Sequence, residues 1–151
     1  MQRWWLYIMI DITNAKNYSF ILQRRTGKNK TLNKGNQILN SNDRMHYIVK
    51  SQITEYLRTL SCQMVSIDND KEQYNEDNPC DVVITVHPPT IRRIDAPNFY
   101  PTIKALIDGM TDAGLWSDDN NHIIKSMTFV LGDVTDNKKY KFDISIVGYN
   151  R

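Results

Sequence analysis

The sequence predicts an α/β fold, a mixed β-sheet with two main helices packed on it. Three observations lead there. First, β-branched and apolar runs with a two-residue period alternate with segments whose apolar residues recur at helical spacing, in the order strand, helix, strand, helix, strand, strand. Second, 151 residues suit a single domain spanning 1–151, long enough to bury about two thirds of the surface of the unfolded chain. Third, 40% apolar and 24% charged residues are ordinary for a water-soluble globular domain.

Each element has its own signal. Trp4, Leu6, Ile8, Ile10 and Ile12 alternate and predict a first strand over 4–12. A basic segment containing Gly and Asn follows from Asn14 to Asn36. Met45, Ile48, Val49, Ile53, Tyr56, Leu57 and Leu60 fall on one helical face, with Ser41, Asn42 and Asp43 upstream as candidate caps. The acidic stretch Asp68 to Asn78 reads as a solvated loop, and DVVITVH from Asp81 to His87 as a strand stopped by Pro88 and Pro89. A second helix is expected from Tyr100 to Ala113, with Pro101 in its first turn, Ile103, Leu106, Ile107 and Met110 inward, and Gly114 as its stop. Ile123 to Leu131 and Tyr140 to Val147 predict two strands joined as a hairpin around Asp136 and Asn137.

Several function classes fall away. No apolar run approaches the ~20 residues of a membrane span, and the apolar stretch from Trp4 lacks a basic leader and a small-residue cleavage site, so a cytoplasmic protein is expected. Cys62 and Cys80 have no zinc-ligand spacing and make no disulfide framework; idle thiols in a reducing compartment are the reading. Asp68, Asp70 and Glu72 are spaced like the start of a calcium loop. Gln73 stands where its glycine is needed and Pro79 where its glutamate belongs, which excludes it.

The net charge of +2 is small, but its distribution is uneven. Lys16, Arg24, Arg25, Lys28, Lys30 and Lys34 fall in a stretch without a single acid. The densest chemistry lies between Arg92 and His122, where Asp95, Lys104, Asp108, Asp112, Asp118 and Asp119 surround the second helix. Carboxylates suit Mg²⁺, a hard cation, and neighbouring cations suit a phosphate, so the grouping fits metal-assisted phosphodiester chemistry. A helix of about 14 residues spans about 21 Å, so Asp95 and the Asp118–Asp119 pair meet only if the chain folds back. Plainer readings stand beside this one. Asp118 to Asn121 make a plausible surface turn, Lys104 and Asp108 an exposed i,i+4 ion pair, and Arg92 and Arg93 solvated strand ends. For His87 and His122 a structural role is favoured over a ligand role.

The motif Asp95-Ala96-Pro97-Asn98, then Lys104, then Asp108 to Gly114, then Asp118-Asp119, resembles the RusA-type Holliday junction resolvases, small Mg²⁺-dependent endonucleases often carried by phages and prophages. That family has Asp-x-Asp-Asn, a lysine, a helix ending in an Asp and Ala-Gly pattern, and a closing Asp-Asp pair. The order of elements is similar over most of the chain. Pro97 stands where the family commonly has its second aspartate, and the spacing from Asn98 to Lys104 is a few residues longer.

The resemblance implies a RusA-like fold. It makes Asp95 and Asp119 metal ligands, Asp118 a further ligand or an acid standing behind the ligands, Lys104 the cation beside the scissile phosphate, and Asp108 and Asn98 supporting residues. The metal is expected to be Mg²⁺, with Mn²⁺ as a substitute, and the partner a four-way DNA junction cut by a homodimer with symmetric nicks. Arg24, Arg25, Lys28, Lys30, Arg92 and Arg93 are the expected phosphate contacts. Trp4, Trp5 and Phe99 are candidate junction wedges, with core packing the preferred role. Two other readings remain open: a binder of branched DNA or protein that has lost efficient cleavage, and a scaffold whose acids are merely surface.

Overall fold

The structure, a computed structural model, describes residues 15–68 and 73–149. The strand expected over 4–12 lies outside the described residues, as do Trp4 and Trp5.

Four strands and two long helices make up the described part: β1 (Lys16–Leu22), α1 (Tyr47–Asp68), β2 (Cys80–His87), α2 (Tyr100–Asp112), β3 (Ile124–Leu131) and β4 (Tyr140–Gly148). Short 3-10 turns occupy Gly27–Asn29, Leu32–Lys34 and Ala96–Phe99. The sheet is mixed, in the order β1-β4-β2-β3, with β4 antiparallel to both β1 and β2, and β3 parallel to β2.

The expected β3–β4 hairpin is therefore corrected. A parallel β2–β3 pair needs a crossover between its strands, and the segment carrying α2 supplies it. After β3 the chain passes the end of β2, where the Gly132 amide donates to the Val86 carbonyl (2.8 Å) and the Thr135 amide to the Pro88 carbonyl (2.9 Å). It then inserts β4 between β1 and β2. Gly132 is required at this step, since a Cβ there would sit 2.5 Å from the His87 ring.

Period-two burial explains which face meets the helices. Tyr18, Phe20 and Leu22 of β1, Val82, Ile84 and Val86 of β2, and Phe142, Ile144 and Ile146 of β4 are all buried. They join Ile53, Leu57 and Val65 of α1 and Ile103, Leu106, Ile107 and Met110 of α2 in one core. β1 falls inside the segment read as basic and containing Gly and Asn, from Asn14 to Asn36. Its cations lie mostly beyond Leu22, and Tyr18, Phe20 and Leu22 carry a strand pattern of their own.

Helix α1 extends two turns beyond Leu60, to Asp68, and begins only at Tyr47. Ser41, Asn42 and Asp43 do not cap it; the His46 Nδ1 accepts from the Ile48 amide at 3.2 Å instead. The two helices touch closely at Gly109, where a Cβ would lie 2.2 Å from the Arg58 carbonyl oxygen. The buried Ser61 hydroxyl donates to the Leu106 carbonyl at 2.6 Å across the same contact.

Candidate active site

The site is built on the crossover from β2 to β3. After His87 the chain leaves the sheet through Arg92 and Arg93, both exposed, and reaches Asp95 just before the turn Ala96–Phe99. Ala96 and Phe99 are buried and anchor that turn. Thr102 fixes the start of α2: its buried hydroxyl donates to the Leu39 carbonyl (2.6 Å) and accepts from the Leu39 amide (2.8 Å).

The far end of α2 turns the chain back. Gly114 adopts φ +80, its amide donates to the Thr111 carbonyl (2.9 Å), and the Leu115 amide donates to the Met110 carbonyl (3.1 Å). Trp116 is then buried, its indole N–H donating to the Thr111 hydroxyl at 2.7 Å. This anchor sends the following acids back along the helix. Lys104, in the second turn of α2, donates to Asp119 Oδ2 at 2.6 Å and to Asp108 Oδ1 at 2.8 Å. The fold-back the site needed is thus present for Asp119.

Asp118 does different work. Its Oδ1 accepts from the Asp119 amide (2.8 Å) and its Oδ2 from the Asn120 side chain (3.1 Å), so it shapes the turn while remaining exposed. The surface-turn reading of this tetrad describes Asp118, while Asp119 is turned to Lys104.

Electrostatics follow the contacts. Burial pulls the Lys104 ammonium toward neutrality, but the two carboxylate hydrogen bonds outweigh it and hold Lys104 charged beyond the usual lysine range. Burial alone would raise the Asp119 carboxyl, and the Lys104 ammonium instead holds it below its ordinary value. The pair is therefore fully ionised at neutral pH.

Asp95 is exposed, and among the described residues its carboxylate has no hydrogen bond or ion pair. It lines a hollow of about 330 Å³ with Asn98, Arg93 and Tyr140, whereas Lys104 and Asp119 line another of about 250 Å³ with Tyr100, Asn121 and Lys125. Phe99 belongs to the first hollow and Tyr100 to the second, so the two flank the entry into α2. Among the described residues no group of three or more acid, His or Cys side chains stands together in a metal-holding cluster. Asp95 and Asp119 stand in separate hollows, and Asp118 lines neither of them. A larger hollow of about 990 Å³ runs beside α1 past Tyr47, Ile48 and Tyr56, but Glu55 is its one charged residue and it offers no comparable chemistry.

No protein-family model matches this chain, and no curated protein is significantly similar to it.

The expected phosphate contacts separate in space. Arg25, Lys28, Arg92 and Arg93 are exposed. Arg24 instead forks onto Asp43, at 2.8 and 3.2 Å, with Lys30 3.6 Å from the same carboxylate. Burial works against the charge on Asp43, yet Arg24 and the Asn40 amide keep its carboxyl below the ordinary range. His87 is structural, its ring held between the Asp133 carbonyl and the Asp143 carboxylate, each at 2.9 Å. Burial pushes the Cys80 thiol up to about 12, which leaves it inert at neutral pH. No helix among the described residues is long and apolar enough to cross a membrane.

Proposed function

We propose that this protein is a metal-dependent, structure-selective endodeoxyribonuclease of the RusA type that resolves four-way DNA junctions by paired symmetric nicks, acting as a homodimer in recombination, repair or phage DNA processing. The observation that carries the proposal is the ammonium of Lys104, held between Asp108 and Asp119 by a chain that folds back along α2. A side chain so fixed presents a permanent positive charge at one point of an open hollow, as is needed beside a phosphate that gains charge in the transition state. Asp108 and Asp119 orient the cation, and the 44% exposure of its side chain leaves it reachable by a phosphate.

Asp95, Asp118 and Asp119 are the residues that would hold Mg²⁺ or Mn²⁺. Mg²⁺ is commonly bound by one or two protein carboxylates, with substrate phosphates and water completing its shell, and one carboxylate in each of two neighbouring hollows, Asp95 and Asp119, is compatible with so small a protein share. A metal held by these residues would supply an activated water and charge stabilisation for a departing 3′ oxygen, the chemistry that gives nicks with 5′ phosphate. Arg25, Lys28, Arg92 and Arg93 hold flanking phosphates without reading sequence.

The second reading, a branched-DNA binder with weak cleavage, is favoured by one pair of observations. The Pro97 side chain brings no ligand atom, and no three acids stand together among the described residues. Incubation with a synthetic four-way junction and a matched duplex, in Mg²⁺, Mn²⁺ or EDTA, separates the two on a denaturing gel. Metal-dependent paired nicks on the junction support the enzyme; binding with no nicks in any metal supports the binder; neither binding nor cleavage defeats both.

A further inference from the structure

Helix α1 meets α2 through Arg58 and Ser61, and a groove of about 990 Å³ opens along α1 without using either residue. It runs from Tyr47 to Gln63, about 24 Å of helix at 1.5 Å per residue. Its floor is already formed. Leu32, Tyr56 and Leu60 are half-buried and packed on the core, and the Gln37 side-chain amide donates to the Tyr56 hydroxyl at 2.9 Å. Its rim is apolar and open, with Tyr47 75% and Ile48 49% exposed, and the His46 ring steadies Tyr47 by stacking on it at 4.6 Å between centroids.

One charge decides what can lie there. Glu55 stands midway along the groove, eight residues from Tyr47 and eight from Gln63, and is its one charged residue. Among the described residues it makes no ion pair, and the nearest cation in sequence along α1, Arg58, is forked onto Asp112 of α2. A lone carboxylate in an apolar groove repels a DNA backbone and an anionic membrane surface alike. It also disfavours a second copy. Two α1 helices laid antiparallel across a two-fold axis would bring Glu55 against Glu55, like charges at the middle of a self-complementary interface. What fits is a helix of a different protein, with an apolar row at i, i+4 and i+7 for the floor and rim and a lysine or arginine at its middle for Glu55.

We propose that this groove docks an amphipathic helix of a protein partner, about four turns long, held by apolar anchors on Leu32, Ile48, Tyr56 and Leu60 and by a cation against Glu55. The groove shares no residue with the hollow holding Lys104 and Asp119, so a partner seated on it leaves that site open. The inference stands independently of the nuclease reading. Taken with that reading, it makes the partner the means by which the site is carried to its DNA.

The test is a displayed library of helical peptides of about 18 residues, with the apolar row fixed and the polar positions randomised, selected on the full chain. Enriched peptides are expected to carry lysine or arginine at the centre. As labelled probes in anisotropy titrations they are expected to lose about tenfold in affinity for Glu55→Lys and for Ile48→Ser. Both positions are exposed, so both variants are expected to keep the wild-type melting temperature. No enrichment, or enriched peptides that bind both variants as they bind the wild type, overturns the proposal. So does a dimer in sedimentation equilibrium that Ile48→Asp dissociates, since a second copy then fills the groove. If peptides are enriched only on a variant carrying Leu6→Asp and Ile8→Asp, the chain's own residues hold the groove, and the proposal is again overturned.

Discussion

The Lys104 ammonium lies 2.6 Å from a carboxylate oxygen of Asp119, a residue fifteen positions further along the chain and beyond the end of the helix that carries the lysine. This contact ties the two ends of the crossover's helical arm together. It exists because Gly114 reverses the chain and buried Trp116 anchors the return.

If Lys104 neutralises a developing phosphate charge, its loss should hurt turnover far more than folding. Lys104→Ala and Asp119→Asn are each expected to reduce single-turnover nicking of a four-way junction by about 10²-fold or more. Their melting temperatures should change little, because partly exposed ion pairs contribute only a few tenths of a kcal/mol. A large fall in melting temperature with nicking retained would instead make the pair structural.

The same pair sets an expected pH dependence. The Asp119 carboxyl is held below its ordinary 3.8, so its contribution to stability is present above that value and is lost as pH falls through the lowered one. The Lys104 ammonium is held above its ordinary 10.5, so its contribution is present below that value and is lost as pH rises through the raised one. The stability difference between wild type and Asp119→Asn should therefore be flat from about pH 5 to pH 9 and shrink toward acid. Denaturant titrations at several pH values check this.

Arg24 and Arg25 are neighbours with different expected phenotypes. Arg24 is half-buried and forked onto an Asp43 side chain that is only 5% exposed, so Asp43→Ala leaves a partly enclosed guanidinium unpaired and should cost about 2 kcal/mol. Arg25→Ala and Lys28→Ala should leave stability unchanged, weaken junction binding evenly across sequences, and lower the salt slope by about one each. Binding isotherms at graded salt, beside melts, distinguish the two behaviours.

Gly109→Ala tests the helix contact. A methyl group there meets the Arg58 backbone at 2.2 Å, and a backbone cannot rotate away, so α1 and α2 must separate. The expected loss is about 2 kcal/mol or more, read by chemical denaturation.

Some of this was legible in the chain and some was not. DVVITVH announces β2 through its β-branched run, and Ile103, Leu106, Ile107 and Met110 announce α2 through their spacing. β1 had its signal too, in Tyr18, Phe20 and Leu22, but the neighbouring lysines and arginines drew the segment into one basic block. The placing of β3 was not legible, since Asp136-Asn137 favours a turn whether the strands on either side pair or not. Nor was the sharing of tasks between Asp118 and Asp119. Two adjacent acids look alike in sequence, and only the direction of the returning chain sends one to Lys104 and keeps the other on its own turn. The same limit explains Asp95, which shares a motif with Asp119 yet stands in a different hollow.

The place of β4 in the sheet bears on how the molecule is made. Among the described residues, every ladder that joins β1 to the rest runs through Tyr140–Gly148, the last described strand in chain order. A nascent polypeptide halted before those residues leave the ribosome holds β1 and β2 with a gap between them, and the apolar rows of both stay open to water. Assembly must therefore wait until translation of this region is complete, and a chain interrupted in the loop at 132–139 is expected to aggregate or be proteolysed rather than to fold in part.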